Sequence, residues 1–314
     1  MGMPVRAVVR DPGPHGAALD GVFAWLRWVD ATFSTYDPRS EISRWGRGAL
    51  ALRDAHPLVR AVLARCERLR IDTGGAFDIR FRPGAPPDPS GLVKGWAIER
   101  AAALLAAAGA CDFCLDAGGD VLVRGGPWRI GIRHPRRRDR LAAVLVLRDG
   151  AVATSGAYER GAHIVDPRSG RPPAGVLAVT VVGPDLGTAD AYATAAFALG
   201  TAGPAWTARL AGYDAMTIVA GDRVRSTQGF ARHVAGSSLA DSLSRRSSWL
   251  QAQNANRSVT ICRRGTPARA RLTRVASVIA GAPQTYTSRA AMSGTRRSRW
   301  AGDSTSPARS SPTT

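Results

Sequence analysis

The sequence predicts an α+β fold, with helices packed on a mainly antiparallel sheet. Segments with apolar residues at helical spacing alternate along the chain with short strand-like runs. Several of those runs are joined by glycine-containing turns that suit hairpins, which favours antiparallel pairing over long parallel crossovers. The chain has 314 residues with 45% hydrophobic content, enough for one large domain or two modest ones with a sizeable core.

Residues 18–33 place Leu19, Val22, Phe23, Leu26, Val29, Ala31 and Phe33 near a helical period. Asp37-Pro38 breaks that helix with a turn, and Ser40 is an N-cap candidate for the next segment. Residues 57–71 read as a second helix, and "DTGGAFDIRF", from Asp72, as a glycine-led strand or loop. "GLVKGWAIERAAALLAAAG" is an alanine-rich helix with Gly109 as its C-cap. "DFCLDAGGDVLVRG" and "WRIGIRHP" read as paired strands, and Asp149-Gly150 predicts a hairpin between the apolar runs on either side. Residues 177–184 form a buried strand, "TADAYATAAFALG" a helix ended by Gly200, and "YDAMTIVAGDRVRSTQGF" a hairpin turning at Gly221-Asp222.

The net charge of +19 is uneven: fourteen arginines against two acidic residues lie from Ala231 onward, so the tail carries twelve of the nineteen charges. After Phe230 the sequence becomes Ser, Thr, Arg and Ala without sustained periodicity, which predicts disorder. That tail has no base-reading motif, so no specific nucleic-acid partner is expected. Cys111 and Cys114 have the C-x-x-C spacing of redox and zinc sites, but no second pair completes a four-cysteine site. The bland alternative is two small residues on a buried strand. The N-terminus has no continuous apolar stretch after a basic start, and no 18-residue apolar run occurs anywhere. The expectation is a cytoplasmic protein, with an exported form open if the start is truncated.

Of the 43 lysines and arginines, Lys94 alone is lysine. A lysine is a compact point charge on a flexible stem, where arginine is a broad planar fork. Its neighbourhood, "DPSGLVKGW", is one of several segments that set glycine beside a carboxylate or a cation. The others are "DTGGAFDIRF", "DAGGDV" and "ATSGAYERGAHIVDPRSGRP"; a further segment, "GTADAYATA", puts Asp190 and Thr194 at i, i+4 on one helix face. Close backbone approach, a point cation and hard oxygen donors suit a phosphate ester with Mg²⁺. Each segment alone is weak, because Gly-Gly pairs are usually turns and an aspartate at a helix start is usually a cap.

Taken in order, "FSTYDPRSEISRW", "GGAFD", "DPSGLVKGWAIERAAALLAAAG", "AGGDV", "TSGAYERGAHIVDPRSGRP" and "TADAYATAAFALG" resemble the ApbE-type flavin transferases, the FAD:protein FMN transferases. The resemblance covers roughly residues 1–230. It implies a T-fold-like flavin transferase domain at 1–232, followed by the basic Ser/Arg-rich tail at 233–314. It also implies Mg²⁺-dependent transfer of FMN from FAD to a threonine (or serine) hydroxyl of an acceptor protein, releasing AMP. Acceptors in this family are often membrane redox subunits. Carried over by motif, Met1, Tyr36, Ala76, Phe77, Asp78, Asp88, Lys94 and Ile164 are the expected FAD contacts. Asp190, Thr194 and the Gly91 carbonyl are the expected metal ligands. His163 is the candidate general base, and Lys94 the catalytic cation. The chain departs from the pattern at several positions: Trp96 replaces tyrosine, Pro89-Ser90 a Leu-Gly-like pair, Ser169 threonine, Gly46 a common asparagine and Met3 the threonine of the start motif. The alternatives are an FAD pyrophosphatase on the same site, giving FMN and AMP, or a flavin-binding protein without turnover.

Overall fold

The computed structural model describes residues 3–82, 84–137, 139–157, 164–236 and 284–286. The described chain opens with strand β1 (Val5–Val9), followed by four helices: α1 (Gly16–Phe33), α2 (Glu41–Gly46), α3 (Pro57–Asp72) and α4 (Ser90–Ala107). Five strands follow, β2 (Phe113–Ala117), β3 (Asp120–Arg124), β4 (Trp128–Arg133), β5 (Leu141–Leu147) and β6 (Gly150–Gly156). The remainder is β7 (Val176–Gly183), α5 (Leu186–Ala198), α6 (Gly203–Thr207), β8 (Asp214–Val219), β9 (Arg223–Ser226) and β10 (Gln284–Tyr286).

Local chemistry sets most helix ends. Ser40 caps α2 by accepting the Ser43 amide at 3.1 Å, and its own hydroxyl donates to the Ser34 carbonyl at 2.6 Å, closing the turn after α1. Pro57 opens α3 at a position where its missing amide costs nothing. Gly109 ends α4 at φ +86°, and the next amide, on Ala110, reaches back to the Leu105 carbonyl at 3.0 Å.

Among the described residues, eight strands pair antiparallel in the order β10-β1-β2-β3-β6-β7-β8-β9, while β4 and β5 pair with each other as a separate ribbon. Alternate residues of the large sheet face opposite ways. Leu122, Ala151, Ala153 and Val181 join the core under the helices, while Val121, Val123, Val152 and Val182 join a second core with Ile130, Ile132 and Leu145 of the ribbon. Both faces of the sheet centre are therefore covered, which is why β7 and β8 are nearly continuous apolar runs.

The hairpin expected at Asp149-Gly150 does not form. β5 pairs with β4, and β6 pairs with β3 and β7. The Asp149 carboxylate accepts the Gly125 amide at 3.1 Å, and Gly150 takes φ +143°, so the turn passes the chain from the ribbon into the large sheet. β2 and β3 do form a hairpin, through Gly118-Gly119, but β3 and β4 lie in different layers. "DTGGAFDIRF" is a loop of turns. The tail from residue 237 lies outside the described residues, except for β10, which pairs with β1. Among the described residues, no helix is long and apolar enough to cross a membrane. Cys111 is exposed, whereas burial pushes the Cys114 thiol up to about 12, a poor nucleophile.

Candidate active site

The site is built where α4 crosses the start of α5, and glycines permit the crossing. A Cβ on Gly95 would stand 2.6 Å from the Leu186 carbonyl oxygen and 2.7 Å from the Gly187 backbone, distances no side chain accepts. A Cβ on Gly187 would come within 2.9 Å of the Glu99 carboxylate. The two backbones therefore touch, and one face of each helix is held against the other.

An ionic clamp fixes that contact. Arg65 of α3 donates to Glu99 of α4 at 2.8 Å, to Asp185 at 2.6 Å and to the Thr188 hydroxyl at 3.0 Å. Glu99 accepts the Gly187 amide at 2.5 Å, and Asp185 caps α5 by accepting the Thr188 amide at 2.8 Å. The Tyr213 hydroxyl donates to Asp185 at 2.5 Å. Burial pushes the Glu99 carboxyl up, against the pull of Arg65. Burial would also raise Asp185, but the Tyr213 hydroxyl, Thr188 and Arg65 outweigh it and hold that carboxyl below its ordinary value.

One turn into α5, Asp190 and Thr194 project together toward α4 and the sheet. The Lys94 ammonium is ion-paired with Asp120, the first residue of β3, and stands 3.4 Å from Asp190. Both carboxylates are buried, at 3% and 4% side-chain exposure, while Lys94 keeps 22%. Asp120 is anchored from the sheet, accepting the Thr154 amide of β6 at 2.9 Å. The Ser155 and Thr194 hydroxyls lie 3.3 Å apart, and those of Thr154 and Thr180 2.9 Å apart. A Cβ on Gly91 would meet Thr194 Oγ1 at 3.7 Å and the Phe77 ring at 3.1 Å, so the first turn of α4 borders the same cluster.

The structure thus brings Gly91, Lys94, Asp190 and Thr194 together. The other expected residues stand differently. Ala76 and Phe77 are buried at 1% and 4%, so as side chains they belong to the core, with Phe77 bordering Gly91. Asp78 accepts the Arg80 amide at 2.8 Å and Asp88 the Ser90 amide at 2.9 Å, so both shape the loop that leads into α4. Tyr36 is 94% exposed in the turn after α1. Ile164 is partly buried against the helical core. Met1 and His163 lie outside the described residues.

Two departures from the family pattern have packing reasons. Trp96 is buried and meets Trp25 and Phe33 edge-on, at centroid distances of 5.3 and 5.4 Å. A Cβ on Gly46 would lie 3.1 Å from the Pro87 ring, so a larger residue there would crowd the loop before α4. Sequence reasoning noted Asp120 and Ser155 only within the glycine-rich segments and gave neither a role. The available signal was a carboxylate directly after the Gly118-Gly119 turn, at the start of an otherwise apolar strand.

The family model described as "ApbE family" matches residues 1–86 and 82–217. Among curated proteins, the chain is 40% identical over 125 residues to the FAD:protein FMN transferase of Rhodobacter capsulatus, covering 36% of this chain and 24% of that protein. It is 31% identical over 179 residues to the FAD:protein FMN transferase of Vibrio cholerae, covering 51% of this chain and 53% of the other. The chain thus spans about a quarter of the first relative and about half of the second. Among solved structures, the crystal structure of the ApbE protein of Thermotoga maritima superposes with a TM-score of 0.66 at 24% identity, over 74% of this chain and 96% of that one. The flavin transferase ApbE of Vibrio cholerae superposes with a TM-score of 0.65 at 24% identity, with the same coverage. The fold is the one these structures share, and the family match extends over most of the described body: the chain belongs to the ApbE family.

Proposed function

We propose that this chain transfers FMN from FAD to a threonine or serine hydroxyl of an acceptor protein, with Mg²⁺ as the required cation and AMP as the second product. The relatives are named FAD:protein FMN transferase, which supports the transfer itself. The observation that carries the reading is the convergence of Lys94, Asp190 and Thr194 beside Gly91, inside the stretch that matches the family. The donor set fits Mg²⁺: buried carboxylate and hydroxyl oxygens are hard ligands, and an ammonium already sits at the carboxylates, so the position receives positive charge. Asp190, Thr194 and the Gly91 carbonyl would hold the ion, which when bound supplies charge neutralisation at the pyrophosphate.

The chain's own residues do the rest. Lys94 offers a mobile point charge to the pyrophosphate oxygens. Met1, Tyr36, Asp78, Asp88 and Ile164, with the Ala76-Phe77 backbone, orient FAD. The acceptor hydroxyl oxygen bonds to the phosphorus on the FMN side, and the bond from that phosphorus to the AMP oxygen breaks. His163 takes the hydroxyl proton, and AMP leaves. An acceptor from a membrane redox complex fits this chemistry. Incubation with FAD, Mg²⁺ and a flavin-acceptor peptide tests the proposal. Flavin-modified peptide is the expected product. Free FMN with unmodified peptide would make the chain a pyrophosphatase, and unchanged FAD would make it a flavin-binding protein.

A further inference from the structure

We propose that Lys94 and a divalent cation are alternative partners of the buried Asp120–Asp190 carboxylates, and that Asp120 is the positioning residue that keeps Lys94 at the site when the cation takes Asp190. This rests on the reading of Asp190 as a metal ligand. The three groups are not held alike. Asp120 is part of the sheet and is fixed by the Thr154 amide, and it carries the closer contact to Lys94. Asp190 stands 3.4 Å from the ammonium, beyond the about 2.7–2.9 Å of a charge-assisted N–H···O bond. The contact to Asp190 is therefore the one that yields to a competitor. Two buried carboxylates facing one ammonium also form a receptor suited to a dication, since without positive charge their burial is unfavourable.

The exchange explains the choice of cation in a chain that otherwise uses arginine. A guanidinium would grip a carboxylate through two parallel bonds and hold its place. An ammonium on four methylenes can release one carboxylate, pivot on the other and offer itself to a phosphate. Substrate and metal are then coupled: the ion that binds at Asp190 also frees the charge that meets the pyrophosphate.

Because Lys94 is the sole lysine, an amine-acylating reagent reports on it alone among side-chain amines, and peptide mass separates it from the N-terminus. The full chain is labelled at fixed pH without FAD, in Mg²⁺ or in Na⁺ at matched ionic strength. Mg²⁺ is expected to speed Lys94 acylation severalfold, and Asp120→Asn to make it fast with or without Mg²⁺. Separately, Lys94→Met should bind Mn²⁺, read by electron paramagnetic resonance without FAD, about tenfold more tightly than wild type, because the internal competitor is gone. An acylation rate indifferent to Mg²⁺, an unaltered rate in Asp120→Asn, or unchanged or weaker Mn²⁺ binding by Lys94→Met would each overturn the exchange. If Lys94→Met does not fold, the labelling experiment decides. Asp190→Asn separates the two readings: undiminished Mn²⁺ binding there would refute the metal assignment itself, whereas lost binding with a Mg²⁺-indifferent Lys94 would refute only the exchange.

Discussion

Two ionic clusters join α4 to its surroundings, and each consists of one cation between two carboxylates. In the first, Arg65 bridges Glu99 and Asp185 at 2.8 and 2.6 Å, with Thr188, the Gly187 amide and Tyr213 completing the bonding. In the second, Lys94 bridges Asp120 and Asp190, and the second contact is 3.4 Å long. The arginine cluster uses its planar fork and reads as a rivet. The lysine cluster has one close and one long contact, borders a serine and a threonine hydroxyl, and sits where the family's motifs converge. The same charge types are thus held differently: the Glu99 and Asp185 side chains keep 20% and 37% exposure and tie the helix crossing together, whereas Asp120 and Asp190 are buried at 3% and 4% around a similarly exposed cation.

The largest expected break in this contrast is Asp190→Asn. Transfer should fall at least about a hundredfold, with Mg²⁺ dependence lost and the melting temperature close to wild type. Wild-type turnover and Mg²⁺ dependence would remove Asp190 from the proposed metal site. Next comes Gly95→Ala, which drives a methyl into the Leu186 carbonyl and damages both clusters at once. Overpacking of about 1–3 kcal/mol is expected, about 2–4 °C of melting temperature per kcal/mol, together with lower transfer.

The comparison is sharpened by exchanging the cations. Arg65→Lys leaves clamp acceptors unmet and should cost about 1–3 kcal/mol in denaturant unfolding while FAD affinity changes little. Lys94→Arg should do the reverse, leaving stability near wild type and weakening FAD binding in a titration. Equal behaviour of the two variants would erase the distinction between rivet and site. The smallest effect is expected from ending the chain after Gly236, which retains the Ala235 amide bond to Val144 at 2.8 Å. Melting and transfer should stay near wild type, while heparin retention should fall with the basic charge removed. A large loss of stability would show that segments beyond Gly236, such as β10 beside β1, hold the domain together.

The helices were legible because each carries its own period and its own caps: α1 buries Leu19, Val22, Leu26 and Val29 as the spacing predicts, and Ser40 and Gly109 act where they were expected. Half of the cluster around Lys94 was legible for the same local reason, since Asp190 and Thr194 share a helix turn, and Gly91 and Lys94 another. The unread half depends on contacts between distant segments. Asp120 meets Lys94 only after β2 has returned the chain to the site, and in the sequence its Gly-Gly-Asp context looks like an ordinary turn. Arg65 is one arginine among many until Glu99 and Asp185 are brought to it. The Asp149-Gly150 turn misled because turn chemistry specifies a reversal but not the layer the next strand enters; burial of β5 on a separate ribbon decided that. β1 is five residues long and becomes a strand by pairing with β2.

Among the described residues, the large sheet ends, on the side away from β10, at β9, a strand of only four residues. Arg223 and Arg225 are exposed on it, and Ser226 follows, also exposed. A strand from another molecule docking here would find few backbone groups to pair with and two guanidinium groups to desolvate. The same arginine-rich composition that raises the net charge therefore guards this edge, and the sheet is discouraged from growing by edge-to-edge self-association at the concentrations where proteins with long open edges aggregate.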